Sequence, residues 1–139
     1  GTFLYSIIYP IIRKISNNKS WFIDVIDIFA DVEQYTTIGQ HLDVNAGIHN
    51  KKEYNKEKDN TKDNSSKNEE EEGEIQRFNT IALYKTSFYT YYLPASVGVL
   101  VSEDEDAKSY LPIIKDVCIR LGVYFQAQDD YLDCYATPE

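Results

Sequence analysis

The most constraining stretch of the sequence begins at Ser20. Phe22, Val25, Ile26 and Phe29 recur at spacings of three and four, the repeat of one helix face rather than the alternation of a strand. Ser20, following Asn17-Asn18-Lys19, is a candidate N-cap, and nothing interrupts the stretch until Gly39 or later. Allowing about 25 residues to Asn45, the helix is about 37 Å long at ~1.5 Å per residue, unusually long for a chain of 139 residues. A helix of that length belongs in a large helical bundle.

Three other stretches read as helices by the same spacing. The first covers about Phe3 to Ser16, with Ile8, Ile11, Ile12 and Ile15 on one stripe and Pro10 within it. The third, Ile75 to Leu100, carries Tyr84, Phe88, Tyr89, Tyr91 and Tyr92; Pro94 removes a backbone donor there and is expected to kink it. After a polar break at Ser102 to Asp106, the last helix runs from about Ser109 to Tyr135, with Pro112 in its first turn. Ile114, Val117, Cys118, Leu121, Phe125 and Leu132 are its expected core stripe. The fold class is therefore all-α. The most apolar segment, Phe3 to Ile12, falls far short of the ~20 residues that cross a bilayer, so a soluble protein is expected.

One segment, His49 to Glu74, is different in kind. Its 26 residues hold no Leu, Ile, Val or Phe and a single aromatic, Tyr54, so burial cannot offset the entropy of ordering them. We expect a disordered surface insertion at 49–74 that divides one domain into helical parts at 1–48 and 75–139. The segment carries six Lys against nine Asp plus Glu, yet the remaining 113 residues are still acidic, with eight basic against fourteen acidic residues. A net charge of -9 argues against a general nucleic-acid footprint, which needs clustered excess base. Two cysteines, Cys118 and Cys134, without metal-ligand spacing, fit a reduced intracellular setting. The start at Gly1-Thr2, with no initiator Met, is read as a truncation or a processed end.

Chemistry concentrates in Gln126-Ala127-Gln128-Asp129-Asp130-Tyr131-Leu132-Asp133. On a helix, Asp129, Asp130 and Asp133 converge on one side, where like charges repel, and they lie near a helix C-terminus, whose dipole disfavours anions. Two local rules broken together point to an external cation, and an all-oxygen set suits Mg²⁺ completed by water and phosphate. A solvated acidic face is the alternative. Gln40 and Asp43, one turn after Thr36, either face a cavity or satisfy each other in the core. Lys85 stands alone in an otherwise uncharged run from Phe78 to Val101, and it either snorkels to water or anchors an anion.

Three blocks carry a family resemblance: Tyr35-Thr36-Thr37-Ile38-Gly39-Gln40-His41-Leu42-Asp43; Tyr84-Lys85-Thr86 through Tyr91-Tyr92-Leu93-Pro94; and Tyr124-Phe125-Gln126-Ala127-Gln128-Asp129-Asp130-Tyr131-Leu132-Asp133. Together and in this order they resemble the farnesyl diphosphate synthases, the short-chain trans-isoprenyl diphosphate synthases. The resemblance implies the all-α isoprenoid-synthase fold, a homodimer and a prenyltransferase; a cytoplasmic location is expected, with organelle targeting as the alternative. Such an enzyme condenses isopentenyl diphosphate with dimethylallyl or geranyl diphosphate, with Mg²⁺ as cofactor. It further implies that Asp129, Asp130 and Asp133 hold metal, that Lys85 contacts the allylic diphosphate, that the Thr86 carbonyl and Gln126 lie near the developing cation, and that Gln40 and Asp43 line the same cavity.

The departures matter as much. The family's first aspartate-rich motif and the basic residues that grip isopentenyl diphosphate are absent, and Ala136-Thr137-Pro138-Glu139 stands where the family usually reads Gly-Asp-Pro-Glu, ahead of a Gly-Lys that is missing here. The residues are expected to be the central part of a longer prenyltransferase and inactive alone, with farnesyl and geranylgeranyl products both open. A noncatalytic helical subunit that regulates or pairs with a prenyl synthase is the competing reading; head-to-head condensation of the squalene-synthase kind is disfavoured by the Tyr84-Lys85-Thr86 and Gln126-to-Asp130 blocks.

Overall fold

The structure, a computed structural model, describes the backbone of residues 2–16, 18–56 and 67–136 and the side chains of residues 6–16, 18–47 and 71–136. Its helices are α1 (Thr2–Ser16), α2 (Phe22–Lys56), α3 (Lys67–Ala82), α4 (Leu93–Val101), α5 (Glu105–Ser109) and α6 (Leu111–Tyr135), with a π-helical segment, Leu83–Tyr92, joining α3 to α4. No strand occurs among the described residues. The all-α class read from the spacing is what is observed.

Two expected boundaries move. The second helix is 35 residues, about 52 Å at ~1.5 Å per residue, and α3 starts at Lys67, so helical backbone takes in 49–56 and 67–74 of the segment set aside by composition as disordered. Helices continue through polar sequence because charged straight-chain residues lose little rotamer freedom there; residues 57–66 lie outside the described residues. Ser20 lies two residues ahead of α2 and its hydroxyl donates to Glu103 Oε1 at 2.6 Å, while the Lys19 carbonyl accepts the Phe22 N–H. That side chain ties the α1–α2 turn to the turn after α4 instead of capping the helix.

The third predicted helix is continuous in path but not in type. Along Leu83–Tyr92 the bonding shifts to i→i+5, ending with Leu93 N–H on the Phe88 carbonyl, and Pro94, which has no N–H to offer, occupies the first turn of α4. The expected kink is thus a π-to-α junction. The π segment packs against α2 on one side and α6 on the other, and its contacts with those two helices are the most extensive in the molecule.

The core lies along α2. Near its start, Ile12, Trp21, Val25 and Leu100 are buried together; further on, Val32, Phe88 and Leu93 form a second cluster beside Tyr35, Tyr84 and Tyr92. Burying each such side chain contributes about 1.5–3 kcal/mol. The expected core stripe of α6 is only partly right. Cys118 is buried, but Val117, Leu121, Phe125 and Leu132 are 42–48% exposed, and the buried line is Cys118–Gly122–Gln126. No described helix is long and apolar enough to cross a membrane.

Candidate functional site

Two glycines set the geometry. A Cβ on Gly39 of α2 would lie 2.6 Å from the Lys85 Cα, and one on Gly122 of α6 would lie 2.6 Å from the Ser87 Cβ. Both helices therefore press on the π segment at backbone distance, at the positions that bracket Thr86. Ser87, fully buried, faces the Ala82 carbonyl at 3.3 Å and the Ile119 carbonyl at 3.0 Å. Its hydroxyl joins the π segment to α6 and serves a carbonyl five residues back in its own chain.

Consecutive residues of the π segment reach opposite neighbours. Lys85 Nζ donates to Asp43 Oδ2 on α2 at 2.7 Å, with side-chain exposures of 28% and 41%. Thr86 is buried and its hydroxyl donates to Gln126 Oε1 on α6. Gln126 Nε2 in turn donates to Asp130 Oδ1 at 2.8 Å, so the Gln126 carboxamide is fixed from both sides. Of the two readings open for Asp43, partnership with Gln40 is replaced by partnership with Lys85. Gln40 is exposed and makes no side-chain bond among the described residues.

Asp129 and Asp133 are exposed on the last two turns of α6, with no side-chain partner among the described residues. Asp130 is turned toward Gln126, and no three His, Cys, Asp or Glu side chains among the described residues are arranged to hold a metal ion. The donor chemistry still fits Mg²⁺, which takes one or two protein carboxylates and keeps several waters. Asp129 and Asp133 offer accessible oxygens for it, and Asp130 retains one oxygen not engaged by Gln126.

Behind the π segment, a cavity of about 40 Å³ is lined by Ile8, Phe29, Val32, Thr36, Tyr89 and Leu93, among others. The Thr36 hydroxyl is buried there without a partner. At its edge Tyr9 donates to Glu33 Oε2 at 2.9 Å; burial first, and that bond second, push the Tyr9 phenol above its ordinary pKa. Burial likewise raises the Cys118 thiol.

Sequence reasoning missed Ser87, Gly122 and the pairing of Lys85 with Asp43. A glycine in the middle of an otherwise regular helix was the available signal, since its usual reason is close packing.

Among the described residues the protein is all-α, and its central π segment offers one ammonium to one side and a threonine–glutamine–aspartate chain to the other. The chain belongs to the polyprenyl synthetase family, whose model matches residues 1–139. It is 33% identical over its whole length to farnesyl pyrophosphate synthase 1, mitochondrial, of Arabidopsis thaliana, covering 32% of that protein. It is 32% identical to farnesyl pyrophosphate synthase of Panax ginseng, again over the whole chain and 35% of the relative. Against farnesyl pyrophosphate synthase of Saccharomyces cerevisiae it is 32% identical over 98% of the chain and 34% of the relative. The chain spans about a third of the length of these curated relatives.

Proposed function

We propose that these residues belong to a prenyltransferase that condenses isopentenyl diphosphate with dimethylallyl or geranyl diphosphate to give farnesyl or geranylgeranyl diphosphate. The observation that carries the reading is the divergence of Lys85 and Thr86, adjacent in sequence, onto Asp43 and onto the Gln126–Asp130 chain. Lys85 binds the allylic diphosphate. Thr86, through its carbonyl, and Gln126, through its fixed carboxamide, face the carbon from which the diphosphate departs. As the C–O bond breaks, positive charge develops on the allylic carbon; the double bond of the second substrate attacks it and a proton is lost. Asp129, Asp130 and Asp133 would hold Mg²⁺, which neutralises charge on the leaving diphosphate when bound.

Similarity to farnesyl pyrophosphate synthases about three times as long supports placing the remaining machinery outside these residues, and the 139 residues alone are expected to be inactive. We propose a homodimer in the cytoplasm, with an organelle as the alternative raised by the mitochondrial relative's name. A noncatalytic subunit of a prenyl synthase is the competing reading, favoured by carboxylates that are not gathered on one point.

The test is an elongation assay on the full-length protein, with radiolabelled isopentenyl diphosphate, an allylic diphosphate and Mg²⁺. Asp129→Ala and Lys85→Ala are each expected to lower kcat/KM at least about tenfold, roughly 1.4 kcal/mol of transition-state stabilisation. Wild-type kinetics in either variant overturn that residue's role, and no Mg²⁺-dependent elongation by the intact protein overturns the enzyme reading.

A further inference from the structure

The Lys85–Asp43 contact has a chemical consequence for any anion arriving at this site. Lys85 is the one charged side chain between Phe78 and Val101, yet its ammonium already has a carboxylate at 2.7 Å. The pairing is built in by the backbone. Gly39 lets α2 approach Lys85 as closely as two main chains can, and Asp43, one turn further along the same helix, meets the side chain that leaves there. Neither group is sealed off, with 28% and 41% of the side chains exposed, so a dissolved anion can reach the ammonium.

We infer that Asp43 is the resident counter-anion of Lys85, a carboxylate that competes with an incoming diphosphate oxygen for the ammonium. The inference rests on the reading of Lys85 as a diphosphate-binding residue. An incoming anion exchanges one charge-assisted hydrogen bond for another and gains only the difference. A diphosphate, with several negative oxygens, makes that exchange better than a singly charged anion. Asp43 thus lowers the affinity of Lys85 for every anion. It acts through Lys85, as a positioning residue.

The test uses the full-length protein with metal chelated by EDTA and inorganic diphosphate as the probe, measured by isothermal titration calorimetry. Lys85→Gln defines the part of the binding that depends on Lys85. Asp43→Asn, which keeps size and hydrogen-bonding capacity but removes the charge, is expected to bind diphosphate about fivefold or more tightly than the wild type, on the scale of one partly screened ion pair. The gain should vanish in Asp43→Asn/Lys85→Gln and shrink as salt is raised.

Asp43→Ser, checked with Asp43→Asn for helical content by circular dichroism, supplies a second uncharged variant should one fail to fold. If Lys85→Gln weakens diphosphate binding while the uncharged variants at Asp43 bind no more tightly than wild type, the pair is a structural strut and the inference falls while the reading of Lys85 stands. If Lys85→Gln leaves diphosphate binding unchanged, the reading of Lys85 falls and the inference with it.

Discussion

A single methyl group is the smallest probe of the places where α2 and α6 press on the π segment. The added Cβ of Gly122→Ala would sit 2.6 Å from the Ser87 Cβ, with backbone of the same residue beside it, so the two helices must separate. We expect a loss of about 1–3 kcal/mol, read from urea unfolding. Gly47→Ala is the internal control: nothing lies within 4 Å of its Cβ, it is in the interior of α2, and the same change is expected to stabilise by about 0.5–1 kcal/mol. Equal effects at the two positions would show that the close approach is not real. At this scale the sequence displayed its chemistry but not its connections. Lys85 and the three aspartates were visible as unusual from their charge alone, whereas Thr86 and Gln126 were singled out only by the family resemblance. That Lys85 takes Asp43 and Thr86 takes Gln126 depends on which faces of α2 and α6 meet the segment, and spacing within one helix carries no such information.

At the scale of the element, α6 shows why apolar spacing can find a helix and still misplace its face. Its hydrophobic stripe pointed to Val117, Leu121, Phe125 and Leu132, whereas the packed line is Cys118–Gly122–Gln126. Two helices at backbone distance need small residues at the contact, and a glycine or a hydrogen-bonded glutamine does not register as core on a hydrophobic count. The orientation is open to a chemical check. Cys118, 8% exposed and with its thiol pushed up by burial, should resist iodoacetamide at neutral pH, while the exposed Cys134 reacts. Mass spectrometry should find Cys118 labelled only under denaturing conditions; equal labelling of the native protein would mean that α6 is rotated. Helix ends were also only partly legible. The polar composition of 49–74 suggested an interruption, but helix continues to Lys56 and resumes at Lys67, because composition reports the lack of a core face rather than an inability to form helical hydrogen bonds.

At the scale of the molecule, the bundle was legible as a class because every apolar stretch repeated at three and four; its organisation around one irregular segment was not. Its response to alkali is set in part by α1 and α2. Burial, and then the hydrogen bond to Glu33, raise the Tyr9 phenol above the usual tyrosine value of about 10. A group whose pKa is raised on folding contributes stability that is fully present below its unfolded value and is lost as pH climbs through its folded one. The unfolding midpoint should therefore fall more steeply above about pH 10 in the wild type than in Tyr9→Phe, and superimposable profiles would remove Tyr9 from the account. The π segment bears on something else again, the tolerance of this chain to insertion and deletion. A π turn holds one residue more than the α turn it replaces, so excising a single residue from Leu83–Tyr92 would remove that excess and draw the segment back toward the regular α repeat. A gap of one position there, harmless in most surface loops, would change the local path that presents adjacent Lys85 and Thr86 to partners on two different helices.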